Sequence, residues 1–260
     1  MNTHRLTLRP HHLASILLIN AICCATASAQ ATQAAFEKLV AKKATTDDIA
    51  WLWEKKPLET LSTIDSYLEG SLKLVETSDT PDKKAIGEMH AKALIGAAAA
   101  DKAFGSVIFS EYASSFVSWN RDQQKQFRLG QKAYADARAA IKAKQFEAGL
   151  AAGQDCLAKA QPLGDWWGTA MAYSAIGDAQ KGLGDTEKSL TAYTSSRAIY
   201  HDLRLGRAEL SCTVEMAALL KQAGNTPRAK VTCKQGIALA EQVVDGGAKA
   251  KLEEILKSLK

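Results

Sequence analysis

Residues Ala170 to Tyr200 read AMAYSAIGDAQKGLGDTEKSLTAYTSSRAIY, and their reading decides the fold. Apolar and small residues recur at helical spacing on both sides of Leu183-Gly184-Asp185, so the stretch is two amphipathic helices around a short turn. A shift of 40 residues brings Ala223-Gly224-Asn225-Thr226 onto that turn, with Arg228 and Ala229 over Lys188 and Ser189. A shift of 40 the other way puts Phe146-Glu147-Ala148-Gly149-Leu150 under Thr186-Glu187-Lys188-Ser189-Leu190. The joints between hairpins keep the same phase, at Leu163-Gly164-Asp165, Leu203-Arg204-Leu205 and Val243-Val244-Asp245. A fixed period with the turn always in phase marks a stack of helical hairpins.

Working outward, three units cover about 130–164, 170–204 and 210–244, each helix, turn, helix. Gly247 to Lys260 aligns with the first helix of a fourth unit, alternates Leu252, Ile255, Leu256 and Leu259 with Lys and Glu, and reads as a terminal cap with one wet face. Upstream, Phe36, Leu39 and Val40 mark a short amphipathic piece. A second helix follows the cap cluster Thr45-Thr46-Asp47-Asp48 and carries Ile49, Trp51, Leu52 and Trp53 until Pro57 breaks it. Leu58, Leu61, Ile64, Leu68, Leu72 and Val75 then form one apolar stripe reaching Glu76. Thr80 is placed to cap the next helix, with Pro81 at its first position. Within the Ala-rich stretch 82–118 the expected turn is Asp101-Lys102, with Phe104, Ile108 and Tyr112 facing inward after it. Asn120 and Gln123 form a capping box for a helix through Phe127, Tyr134, Ala137 and Ile141.

The middle unit resembles a tetratricopeptide repeat. Tyr173, Ile176-Gly177, Gly184-Asp185, Ser189, Tyr193 and Ser196 stand where that family has its large, Leu-Gly, Gly-Asp and Ala-aromatic-Ala positions, with Gln180 departing at an aromatic one. The third unit is looser, with Met216-Ala217, Gly224-Asn225, Ala229, Cys233 and Gly236, and the first looser still, with Ala137, Gly149 and Gly153 in the small slots. The period of 40 is similar to that of the longer-helix members, against the usual value of roughly 34. HEAT-like hairpins share a period near 40 and are the architectural alternative. The resemblance covers about 125–260 and implies an all-α protein, a right-handed α-solenoid of antiparallel helix hairpins.

The resemblance further implies a concave groove, lined by the first helices, that holds a peptide or a partner's helix. Groove positions carry over as Gln131, Tyr134, Arg138, Ile141 and Lys142 in the first unit, Met171, Ser174, Asp178 and Lys181 in the second, and Ser211, Val214, Ala218 and Lys221 in the third. Lys181 and Lys221 stack as a short basic ladder beside Arg138 and Lys142. That ladder reads either as a seat for an extended acidic segment or as solvated helix surface whose lysines satisfy the last carbonyls. The Lys/Asn clamp that chaperone-binding members use for a terminal carboxylate is missing, because Ser174 and Asp178 stand in its place.

Residues 1–29 are of another kind: Arg5, Arg9, His11 and His12 lead an apolar run from Leu13 to Cys24, and Ala27-Ser28-Ala29 precedes Gln30. This is the three-part pattern of a cleaved secretory signal, too short for a permanent anchor. The expected organisation is therefore a signal peptide over 1–29, an N-terminal helical region over 30–125 and repeats with a capping helix over 126–260. The remaining chain, periplasmic or secreted, carries 31 basic and 28 acidic residues, a balance of +3 that does not argue for nucleic acid. Cys156, Cys212 and Cys233 remain; Cys212 and Cys233 flank one turn at nearly equal distances and read either as a pair or as small core residues. Trp166-Trp167 at a joint read as packed, with exposure of one ring as the functional alternative.

HExxH, CxxC, GxSxG and phosphate-loop motifs are absent, and His90 and His201 stand far apart. No catalytic residue, cofactor or metal is expected. The reading is an exported non-catalytic scaffold or adaptor that binds a protein or peptide partner, with no stable membrane insertion. The alternatives are a cell-envelope enzyme with a site in 30–120, and a cell-wall glycan binder using the Trp residues.

Overall fold

A computed structural model describes residues 28–259, and over them the chain is all-α, with twelve helices and no strand among the described residues. The expected signal segment lies outside the described residues as far as residue 27. In chain order the helices are α1 (28–41), α2 (Thr46–Lys55), α3 (Pro57–Glu76), α4 (Lys83–Phe104), α5 (Ile108–Ser118) and α6 (Arg121–Lys142). They continue as α7 (Phe146–Ala160), α8 (Trp166–Gly182), α9 (Thr186–Asp202), α10 (Gly206–Gln222), α11 (Thr226–Gln242) and α12 (Gly246–Ser258).

From α6 onward every joint is built the same way. The chain turns on one residue in the left-handed region: Lys144 (φ 60°), Gly164 (65°), Gly184 (82°), Arg204 (57°), Gly224 (70°) and Val244 (54°), one every 20 residues. The next amide reaches back five positions, from Gln145, Asp165, Asp185, Leu205, Asn225 and Asp245 to the carbonyls of Ala140, Ala160, Gln180, Tyr200, Leu220 and Ala240, at 2.9–3.2 Å. That bond closes the helix end as a Schellman turn does. Asp165, Asp185, Asn225 and Asp245 then cap the following helix, accepting from the amides of Gly168, Lys188, Arg228 and Ala248 at 2.8, 3.1, 3.3 and 2.9 Å.

Consecutive helices pack on one another from α6 to α12, and α6 also meets α8 as α10 meets α12. Small residues let α8 and α9 approach. A Cβ on Gly177 would lie 2.8 Å from the ring of Tyr193, which is fully buried against it. Ser189 and Ser196 donate to the carbonyls of Gly177 and Ala170 at 2.8 Å each, so both buried hydroxyls are satisfied by the facing helix. Gly236 serves the same purpose for Leu252 of α12, at 2.7 Å. On α12, Leu252, Ile255 and Leu259 are buried while Lys251, Glu253 and Glu254 are exposed, the one-sided pattern expected of an end helix.

The N-terminal helices lie along the joints. Leu163 and Leu203 belong to the core cluster of α1–α5 and Phe127, and Trp119 donates its indole N–H to the carbonyl of Leu163 at 3.0 Å. Phe116, Trp119 and Phe127 pack in tilted and edge-to-face pairs with centroids 4.3–5.4 Å apart, tying α5 to α6. Arg204 places its guanidinium over the ring of Phe104, 4.9 Å from the centroid, and donates to its carbonyl at 3.3 Å.

Two local expectations need correction. The turn expected at Asp101-Lys102 lies at Gly105 instead (φ 65°), because the carboxylate of Asp101 accepts from Ser106 Oγ and from the amides of Phe109 and Ser110 at 2.9–3.0 Å. One acid inside α4 thus caps α5. The cap expected at Thr80 is Asp82, which accepts from Lys84 and Ala85 at 2.9 and 3.1 Å. The three cysteines of the described residues are free and buried, so Cys212 and Cys233 are core residues and not a bridge.

Val244 is 84% exposed and holds a left-handed φ that a β-branched residue adopts at a cost of about 1–2 kcal/mol. Val244→Gly is expected to raise unfolding stability by about 1 kcal/mol, and Gly224→Val at the equivalent joint to lower it by at least as much. Urea denaturation of both variants checks the pair of signs.

Candidate functional site

The groove positions of α6, α8 and α10 do not present a basic ladder. Arg138 is bonded to Asp178, which also accepts from Tyr193 Oη at 2.5 Å. Lys181 reaches Glu215 at 2.7 Å and Asp178 at 3.9 Å, and Glu215 reaches Lys251 of α12 at 3.5 Å. Arg138, Asp178, Lys181, Glu215 and Lys251 thus alternate in sign across α6, α8, α10 and α12. An acidic segment meets neutralised charge along this row, which removes the main argument for a cationic seat. Lys142 and Lys221 are exposed, and Tyr134 and Ser174 are half-buried. Val214 departs from its expected groove role: it is 6% exposed and packs in the C-terminal core with Leu210 and Ala217. Gln131 is taken up by α3, donating to Glu69 at 2.8 Å.

That contact belongs to a bridge between α3 and α6. Arg128 holds Glu76 through Nε at 2.7 Å and Nη2 at 3.0 Å, and Glu69 through Nη1 at 2.8 Å. Long side chains span the gap here, and beside them the helices leave open space. A cleft of about 890 Å³ lies between Ser28 and Ala29 of α1, Leu58, Glu59 and Ser62 of α3, and Tyr134, Trp167, Met171, Tyr200, Arg207 and Ala208 of α6 and α8–α10. Tyr134, Trp167 and Met171 also line a smaller cavity of about 210 Å³, so the two share a wall. The rest of that cavity is Asp65 and Glu69 of α3, Tyr112 of α5, Phe127, Gly130 and Gln131 of α6, Cys156 of α7, and Asp165 and Gly168 at the start of α8.

The cavity gathers ionisable groups that stand far apart in the chain. Tyr112 Oη donates to Asp65 Oδ1 at 2.5 Å. Asp165, 5% exposed, accepts from the Gly168 amide through Oδ1. Gly168 is needed there, since a Cβ would stand 2.1 Å from Asp165 Oδ2. Burial pushes the Asp65 carboxyl up to about 6, the Tyr112 bond opposing it and Glu69 adding to it. Burial raises Asp165 to about 7, against the Gly168 hydrogen bond and with help from Asp65 and Glu69. Tyr112 is raised well above its ordinary value by burial and by Asp65. Cys156 is raised to about 11 by burial and by Asp165, so its thiol stays protonated and unreactive at neutral pH.

Sequence reading names Gln131, Tyr134 and Met171 of this site and misses Asp65 and Asp165. Asp65 sits one position off the apolar stripe of α3, and Asp165 reads as a linker residue; only the docking of α3 and α5 on the joints unites them. Trp166 and Trp167 are both half-buried and packed against the core, and the Trp167 ring lines both the cleft and the cavity. Among the described residues no group of three or more His, Cys, Asp and Glu is placed to hold a metal ion, and no helix is long and apolar enough to cross a membrane. His90, whose ring is held below its usual value by burial, meets Ser71 Oγ at 2.9 Å. No protein-family model and no curated protein matches the chain.

Asp65 and Asp165 keep their protons to higher pH in the fold than in the unfolded chain. The folded state therefore binds more protons between about pH 4 and about pH 7, and stability falls as pH rises through that window. Asp165→Asn keeps the helix cap and removes one titrating group. It is expected to raise the unfolding free energy measured by urea denaturation at pH 7.5 by on the order of 1–3 kcal/mol and to leave that near pH 4 almost unchanged.

Proposed function

We propose that this chain is an exported, non-catalytic scaffold or adaptor of the tetratricopeptide type, a right-handed α-solenoid that binds a protein or peptide partner on the face of its first helices. The observation that carries the reading is the cleft of about 890 Å³ beside α3, walled by Tyr134, Trp167, Met171 and Tyr200. Its aromatic and thioether walls suit an extended segment that buries apolar side chains, as binding surfaces rich in Tyr, Trp and Met do. The neutralised ion-pair row beside it argues against an acidic partner. Six equal joints and the small-residue crossings support the repeat assignment, and the leader pattern over 1–29 supports export to the periplasm or beyond. No nucleic acid, cofactor or metal enters this reading.

A second reading, an envelope enzyme, draws on the smaller cavity, where two carboxyls titrate near neutrality as general acids and bases do. The binding reading is preferred because Cys156, the thiol at that cavity, is held protonated and the wall is otherwise mainly aromatic and apolar. Turnover of an envelope substrate that is lost in Asp65→Asn and Asp165→Asn would reverse the preference.

Peptides selected by display against residues 30–260 are expected to bind the cleft and to lose affinity by about tenfold or more in Met171→Glu, which puts a charge on its apolar wall. Calorimetric titration of the selected peptides into both proteins measures this. Equal binding by the variant contradicts the cleft as the site.

A further inference from the structure

We propose that the smaller cavity between α3, α5, α6 and the start of α8 is a seat for a primary alkylammonium group, either the side chain of a lysine in a segment lying in the adjoining cleft or a small free amine. The lysine form rests on the reading of the cleft as a peptide site; the free-amine form does not.

The geometry carries it in three steps. Asp65 and Asp165 each spend one oxygen inside the protein, on Tyr112 Oη at 2.5 Å and on the Gly168 amide at 2.8 Å. The second oxygen of each carboxylate has no donor among the described residues, and both residues line the cavity. Asp165 is 5% exposed and lines the cavity, through which its free oxygen keeps some access to solvent. A carboxylate buried without a counter-ion is costly, and a ligand cation relieves that cost.

Of the protein's own cations, Arg128 acts on the Asp65 carboxyl from outside the cavity lining. Arg128, on α6, is held by Glu69 and Glu76 of α3 at the rim, and Glu69 is also taken by Gln131. The other titratable groups facing the cavity are Tyr112 on α5, Tyr134 on α6 and Cys156 on α7, all of which burial keeps neutral. Two unpaired carboxylates therefore face a space with no positive group of its own.

The remaining walls select the kind of cation. Trp167, Tyr134, Phe127 and Tyr112 surround the carboxylates with aromatic surface, the environment that attracts an organic cation. A calcium ion asks for about six to eight oxygen ligands, which two free carboxylate oxygens among apolar walls do not provide. The volume of about 210 Å³ is below the roughly 300–1,000 Å³ of sites that engulf a drug-sized ligand. It suits a short alkyl chain with a charged end, entering past Tyr134, Trp167 and Met171 from the cleft.

The test uses the whole exported chain and n-butylammonium chloride, followed by tryptophan fluorescence and calorimetry at pH 8, with 1-butanol as the uncharged control. Saturable binding of the ammonium but not the alcohol is expected, weakened by about tenfold or more in Asp165→Asn and in Asp65→Asn. Thermal melts of the same samples establish that both variants are folded. Affinity is also expected to fall as pH drops from 8 to 5, as the carboxyls take up protons. No saturable binding to the native chain, or equal binding by both folded variants, overturns the proposal. The source is then read from the cleft-binding peptides. A loss of about tenfold on Lys→norleucine assigns the seat to a partner lysine; no loss, with butylammonium still bound, assigns it to a free amine. Absence of butylammonium binding while peptides remain sensitive to Met171→Glu removes the ammonium seat and leaves the cleft reading intact.

Discussion

The left-handed turn that recurs at residues 144, 164, 184, 204, 224 and 244 sets the geometry of everything downstream of Arg121. Each turn spends a single residue in an unfavourable backbone region and recovers a hydrogen bond across five positions from the helix it ends. Because the joint is so short, a helix cannot drift relative to its neighbour. Glycine meets the requirement at three of the six joints without strain; Lys144, Arg204 and Val244 meet it against their own preference. At Arg204 the side chain compensates by docking on Phe104. The regular spacing also brings Arg138, Asp178, Lys181, Glu215 and Lys251 into one row, where like charges would otherwise face each other.

The joints then serve as a docking edge. Leu163 and Leu203, one from each of two alternate joints, enter the core of the N-terminal helices, and Trp119 fastens the first of them. With α5 held there, α3 stands opposite α6 and touches it through Arg128, Gln131 and their carboxylate partners. Side-chain bridges of that length leave space between helices that direct packing would close. The cleft and the cavity are that space. Asp165 has two duties as a result, capping α8 and lining the cavity, and Gly168 is small because the carboxylate occupies the room a Cβ would take.

Much of the fold is legible in the chain alone because helical periodicity and turn chemistry are local. The repeat phase, the capping box at Asn120 and Gln123, the break at Pro57 and the closing helix α12 are all read from neighbours in sequence. The turn at Asp101-Lys102 is misread because the Asp101 side chain acts over a longer range, on amides eight and nine positions away, whereas the cap expected at Thr80 is taken by its near neighbour Asp82. The site was legible only in part. Tyr134 and Met171 follow from the repeat register, whereas Asp65 and Asp165 stand 100 positions apart and meet at one cavity through the placement of α3 on the joints. The basic ladder failed for a related reason: equal spacing aligns lysines, but Asp178 and Glu215 align with them and cancel the charge.

The spacing of the left-handed joints is open to direct measurement. Three-bond amide–Hα couplings and backbone carbon shifts of the isotope-labelled chain report φ residue by residue. The account predicts a positive φ at all six of Lys144, Gly164, Gly184, Arg204, Gly224 and Val244. A right-handed helical or extended φ at Lys144, Arg204 or Val244, where glycine does not ease the turn, would contradict it.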